Sequence, residues 1–293
     1  MRVTETLRMQ AVERAQRRAT NDLSRATDGA STGMRVRAPA DDPTAFASLV
    51  RVRAGASAWK DRREAISSSS SELTVAESSL AEGADIMARA RELAVTMADG
   101  AMSAAERTAA AGEVRTLRAA LLGIANQRGA SGYLFAGSAV GTAPFTAAGT
   151  FVANDDALDV EVAPGIRVRS NASGAQAFTS AGGRDVFQDL DNLANALASN
   201  NVAGVQTSVT DIEAGHTQIT SARAMAGIGI DRLRASESAA DQAAMMLQEE
   251  HAKTGELDAA TAFSKLAEAQ QAYERALSIS KNILSTFDLK NMP

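Results

Sequence analysis

Val52, Trp59, Ile66, Leu73, Leu80, Met87 and Ala94 recur at intervals of seven. A strict seven-residue apolar column confines the segment to a long helix that buries one narrow stripe against other helices. The spacing predicts a helix over 43–98, roughly 80 Å long at 1.5 Å per residue. Arg63, Ser70 and Glu77 stand where a dimeric zipper would carry apolar residues. The stripe is therefore expected to pack within its own chain.

Two further seams lie at the chain's ends. Val12, Ala15, Ala19, Leu23 and Ala26 share a helix face within a predicted helix over 4–30. Phe263, Leu266, Gln270, Tyr273, Leu277, Ser280, Leu284 and Phe287 alternate in steps of three and four after a start near Asp258. One seam is of small side chains and the other of large ones, so the two can pack closely. Residues 1–37 carry eight arginines against four acids, and residues 241–293 eight acids against five bases. Opposite signs favour pairing of the two helices, although exposed charges contribute little each. Best hydrophobic seams at both ends point to assembly rather than catalysis.

Local signals divide the rest. Asp42 is suited to cap a helix that has Pro43 at its first position. Asp99-Gly100 ends that helix, and Ser103 with Glu106 forms a capping box for the next. The new helix carries Val114, Leu117, Leu121 and Ile124 on one face and is expected to return antiparallel, stopping at Gly129 and Gly132. From about 133 the period changes to two. Phe151-Val152, Leu158–Val162 and Ile166–Arg169 read as strands, the last two joined by Ala163-Pro164-Gly165 as a hairpin. Helical pattern resumes at Asp185, with Val186, Leu190, Leu193 and Leu197 on one face. A helix over about 204–248 follows, interrupted at Thr254-Gly255. The fold class is mainly α with a β-rich insertion: an elongated antiparallel helical bundle or coiled coil carrying a small β domain at its far end. The divisions are an N-terminal assembly helix and linker (1–40), stalk helices (41–131), the β-rich domain (132–184), returning helices (185–253) and a C-terminal assembly helix (254–293).

Composition excludes several functions. There is no cysteine, which rules out disulfides, zinc–thiolate sites and thiol catalysis. A net charge of −5 without a long basic run argues against nucleic acid. MRVTETLRMQ has no apolar core of a cleavable signal peptide, and no run approaches a membrane span, so export would use a route without a cleaved signal. His216 and His251 lack metal-ligand spacing and read as helix-face residues. Asp41 and Asp42 read as a cap rather than an acid–base pair. Asp155-Asp156 lacks the calcium-loop pattern and reads as a turn. Gly227-x-Gly229 follows no strand and lacks a third glycine, so it is no dinucleotide loop. Asn171-Ala172-Ser173 fits a glycosylation sequon, a pattern common by chance. An enzyme would need Asp155, Asp156, Asp159 and Glu161 as its acids. Asp159 and Glu161 alternate with Val160 and Val162, the pattern of a solvated sheet face. No catalytic residue, cofactor or metal is assigned.

Several segments resemble the flagellin superfamily. Ala38-Pro39-Ala40-Asp41-Asp42-Pro43 resembles its proline–acid–acid–proline turn, and Arg89-Ala90-Arg91-Glu92-Leu93-Ala94 its helix motif of the same kind. Gly132-Tyr133-Leu134-Phe135-Ala136-Gly137 with Thr142-Ala143-Pro144-Phe145 is similar to the hook–filament junction branch more than to filament flagellin. Gly227-Ile228-Gly229-Ile230-Asp231-Arg232-Leu233 resembles a family segment in which Asn is usual at Asp231. The ending Ser285-Thr286-Phe287-Asp288-Leu289 is similar to the junction branch but runs on to Pro293. The resemblance implies a structural subunit of the bacterial flagellum, extracellular after type III export, with no enzymatic activity. Its implied partners are identical subunits in a ring, a neighbouring hook-associated protein, flagellin, and an export chaperone on the C-terminal helix. The partner-binding residues are Val12, Ala15, Ala19, Leu23, Phe263, Leu266, Tyr273, Leu277, Leu284 and Phe287. Filament flagellin and a cytoplasmic coiled-coil adaptor are the competing readings.

Overall fold

The computed structural model describes residues 2–290, without the side chains of 2–5, 8 and 284–290. Among the described residues seven α-helices, a short 3-10 turn (Ser180–Gly182) and one hairpin make it mainly α: α1 Arg2–Thr32, α2 Pro43–Met97, α3 Ala104–Ala125, β1 Asp159–Ala163, β2 Ile166–Arg169, α4 Gly174–Phe178, α5 Val186–Ala198, α6 Val202–Gly255 and α7 Ala259–Lys290. Tertiary contacts sort them into two units. One comprises Met1–Ser57 with Ala244–Pro293, the other Ala58–Ala243.

Within Ala58–Ala243, α2, α3 and α6 pack around the column anticipated from sequence. Ile66, Leu73, Leu80, Met87 and Ala94 are buried, and Trp59 is partly so. Antiparallel packing of α2 with α3 follows from their facing pairs. Arg89 Nε bonds Glu113 at 2.8 Å, and Ser79 Oγ bonds Gln127 at 2.7 Å. Across α2 and α6, Arg223 meets Glu77 at 2.6 Å and Arg63 meets Asp241 at 2.7 Å, again antiparallel. The capping box forms: Ser103 accepts from the Glu106 N–H at 3.2 Å, and Glu106 accepts from the Ser103 N–H at 2.7 Å. The Ser103 main-chain and hydroxyl donors hold the Glu106 carboxyl below its ordinary pKa.

The bundle's turn is closed by Arg107, which is 2% exposed. Its guanidinium donates to Met97 O at 3.0 Å, Asp99 O at 2.7 Å and Asn200 Oδ1 at 2.6 Å. Two of these oxygens are main-chain carbonyls at and just beyond the end of α2, where helix-terminal carbonyls lack intrahelical partners, and the third is the Asn200 side-chain oxygen in the α5–α6 turn. Gln218 does similar work from α6, donating to the carbonyls of Ala177, Thr179 and Arg184 and accepting from the Arg184 N–H. Buried Asp189 is bonded by Arg184 at 2.6 Å, yet burial outweighs that cation and pushes its carboxyl up.

Three expectations are corrected here. α3 stops at Ala125, before Gly129, because Asn126 bonds both main-chain groups of Phe145 at 2.9 and 3.0 Å and turns the chain. Phe151 makes only an isolated bridge to Phe145, since Phe151 also packs its ring on Phe145 at 5.2 Å rather than extending a sheet. The hairpin does not sit at the far end of the bundle. It lies along α2 and α6, where Arg62 reaches Glu161 at 3.2 Å, because Val162 joins the buried core. β1 and β2 pair antiparallel, Val160 opposite Val168 and Glu161 opposite Arg167.

The Gly132–Phe145 segment builds a local core. Gly132 has φ +136°, and a Cβ there would stand 2.4 Å from Val140 O. The Tyr133 N–H then reaches Val140 O at 2.9 Å and the Leu134 N–H reaches Gln127 O at 3.0 Å. Phe135 and Phe145 are delivered edge-on to Phe178, at 5.3 and 5.7 Å between centroids.

Candidate assembly interface

In the unit of Met1–Ser57 and Ala244–Pro293, the segment between α1 and α2 zips to the segment between α6 and α7. Met34 and Glu256 form an antiparallel bridge. The Arg35 N–H donates to Gly255 O and the Leu257 N–H to Gly33 O, both at 2.7 Å. The Arg35 guanidinium donates to Thr254 O at 2.7 Å. Gly33 has φ +67°, the left-handed turn that lets α1 end and the bridge begin. Val36 and Leu49 are buried beneath this joint, with Leu49 against Gly255.

The acid–acid–proline turn braces the joint. Asp41 Oδ2 accepts from the N–H groups of Arg37 and Ala38, both at 3.0 Å. Asp42 Oδ1 accepts from the Ala45 N–H at 3.0 Å, so Asp42 caps α2 and Pro43 opens it. These donors hold both carboxyls below their ordinary pKa: Arg37 and then Ala38 for Asp41, and Ala45 foremost for Asp42. Asp258 caps α7 in the same way, accepting from the Thr261 N–H at 3.0 Å.

From this joint α1 and α7 pack against each other. Val12, Gln16, Leu23 and Ala26 are half-buried and Ala19 is buried on α1, while Ala15 is exposed. Gln16 takes the place that Ala15 was expected to fill. On α7, Ala262 is buried and Leu266, Ala269, Tyr273, Ala276, Leu277, Ser280 and Ile283 are half-buried. Leu266, Tyr273 and Ser280 thus lie on the partly covered side of α7. The covered side of α7 includes Ala262, Ala269 and Ala276 beside Leu277, whereas Phe263 and Gln270 are exposed. Phe263 is 64% exposed. Leu284 and Phe287 lie outside the residues whose side chains are described.

The packing is thin. This unit contributes only Ala19, Val36, Leu49, Val52 and Ala262 to the buried apolar residues, among those described. It exposes Leu7, Met9, Val50, Met245, Met246, Phe263 and Ile279. A cleft of about 470 Å³ opens between α1 and α7, with Asp22, Arg25, Lys265 and Glu268 on its walls. The arrangement combines paired helices, a hydrogen-bonded joint and exposed apolar surface. His251 lies 3.5 Å from Arg53, and His216 sits alone on α6. The acids of the β region are engaged locally: Asp155 by Ser173, Asp156 by Ser138 at 2.6 Å, and Glu161 by Arg62. Among the described residues no helix is long and apolar enough to cross a membrane.

Residues 4–140 match the model of the bacterial flagellin N-terminal helical region. The chain is similar to the flagellar hook-associated protein 3 of Escherichia coli K12, 27% identical over 190 residues. That alignment spans 63% of this chain and 60% of the Escherichia coli protein, less than two thirds of its length. A structure described as a flagellar hook-associated protein from Vibrio parahaemolyticus superposes with a TM-score of 0.67 at 21% identity, covering 74% of this chain and all of the other. The flagellar junction protein FlgL from Legionella pneumophila superposes at 0.56 with 16% identity, covering 73% of this chain and all of that one. Both structures share the fold.

Proposed function

We propose that this chain is a structural subunit of the bacterial flagellum that joins hook to filament and assembles through α1 and α7. The observation that carries the reading is the contrast between the two units. Ala58–Ala243 has a continuous buried core, whereas the terminal pair has few buried residues and a row of exposed apolar ones. A helix pair with so little buried surface gains little against its ordering entropy, and neighbours that cover the exposed side would supply the rest. Support also comes from the similarity to hook-associated protein 3.

On this reading the subunit leaves the cell through the type III channel without a cleaved signal, with a chaperone shielding the apolar residues of α7. It then orders its ends against identical subunits, the preceding hook-associated protein and flagellin. The role is structural rather than catalytic. Leu277→Asp, or truncation after Leu257, is expected to leave Ala58–Ala243 folded and abolish filament attachment in a strain lacking the native copy. Normal filaments on such a strain would overturn the assembly role. A few copies at the hook tip, seen by immunogold labelling, fit a junction subunit. Labelling along the whole filament would make the chain a flagellin. Termini as protease-resistant as the core in the purified monomer would favour the adaptor.

A further inference from the structure

The outer surface of Ala58–Ala243 carries two stripes that the fold leaves without partners. The first lines a groove of about 790 Å³ beside α6, walled on the other side by Val168, Arg169 and the segment through Arg184. Met225 (71% exposed), Ile228 (48% exposed) and Arg232 stand on its rim, spaced three and four residues apart on one face of α6. Arg232 has no ion pair among the described residues. The second stripe is the outward face of α2. Glu64, Ser68, Ser71, Val75, Ser78 and Glu82 follow the same three-and-four spacing, opposite the buried Leu73, Leu80 and Met87. Val75 is 40% exposed and Glu82 has no ion pair among the described residues. Glu64 has only an exposed i,i+4 contact with Lys60 at 3.9 Å, a geometry worth little.

We infer that the groove beside α6 receives the outward face of α2 from a second copy of this chain, placed alongside in the same orientation. The level of the stripes carries this. Within one chain Glu77 faces Arg223 and Leu73 faces Gly229, so Val75 lies at the height of Met225 and Ile228. A copy set alongside without axial shift brings its Val75 against those two exposed apolar side chains. Ser71 and Ser78, small and exposed, leave room on either side of that contact. Arg232 then faces the stretch between Val75 and Glu64, about 9 Å along the helix from Glu64 at 1.5 Å per residue. That is within the joint reach of an arginine and a glutamate, so the unpaired cation gains a carboxylate. The contact joins two different surfaces. It is heterologous, and repeated with a closing rotation it generates a ring rather than a dimer. This inference rests on the self-assembling reading above and assigns it a surface away from the terminal helices.

The absence of cysteine provides a clean test. Val75→Cys and Ile228→Cys are introduced together in a strain whose only copy is this chain, and sheared flagella are oxidised and run without reductant. The expected result is a ladder of covalent multimers that collapses with reductant and is absent from either single variant. Monomer alone, or a band stopping at the dimer, overturns the inference. Arg232→Glu is expected to lower filament number at least tenfold, with recovery when Glu64→Arg is added. Undiminished filaments with Arg232→Glu, or no recovery in the double variant, also overturns it. The junction reading fails separately: the unaltered chain would not restore filaments. The ladder would then be sought with the purified chain at high concentration, where its absence overturns the inference as well.

Discussion

Phe263→Ala separates a residue that holds the chain together from one that holds neighbours together. Phe263 is 64% exposed on α7, so about a third of its surface is covered within the chain. Complete burial of a phenylalanine contributes about 3 kcal/mol, and the covered third therefore about 1 kcal/mol at most. Thermal unfolding of the purified variant, followed by circular dichroism, should show a loss no larger than that. The assembled state should lose far more. Phe→Ala in a closed interior costs about 3–5 kcal/mol, of which at least ~2 kcal/mol would then belong to contacts between copies. A deficit of ~2 kcal/mol per interface lowers an association constant roughly 30-fold. Filaments counted on hooks by electron microscopy, at matched expression, should fall accordingly. Undiminished filaments would refute the claim that neighbours cover Phe263. A loss above ~2 kcal/mol in the free chain would refute the claim that it is unused there.

Two further outcomes follow from the joints of the fold. Arg107→Met keeps the buried stem and removes the donors to Met97 O, Asp99 O and Asn200 Oδ1. We expect a loss of about 2–4 kcal/mol and a fall in Tm of roughly 5–15 °C by calorimetry, with a change under 1 kcal/mol counting against the clamp. Asp41 and Asp42 have carboxyls held below 3.8 by main-chain donors, so their contribution is complete above that value and lost as pH falls through the lowered pKa. Amide exchange at Arg37, Ala38 and Ala45 should accelerate below about pH 4 in the native chain. Asp41→Asn should abolish that acceleration at Arg37 and Ala38 alone, and an unchanged profile would refute the bracing role.

The sequence by itself determined whatever depends on neighbours a few residues apart. Asp42 with Pro43, Ser103 with Glu106, and Asp258 mark helix starts because a cap is a local hydrogen bond. The column from Val52 to Ala94 was legible because burial on a helix repeats with the helical period. Ala163-Pro164-Gly165 located the hairpin for the same local reason. Tertiary structure decided the rest. Two adjacent columns on α7 fit the same spacing, and only the tertiary structure buried Ala262 and left Phe263 exposed. Asn126 could end α3 only once Phe145, nineteen residues on, lay beside it. Arg107 and Gln218 look like surface residues in sequence, and they became buried clamps because distant carbonyl groups converge on them. The hairpin's place along α2 and α6 depended on a core position for Val162 that no local pattern encodes. Contacts between residues far apart in the chain set which of several equally periodic faces is buried, and periodicity alone carries no information about that choice.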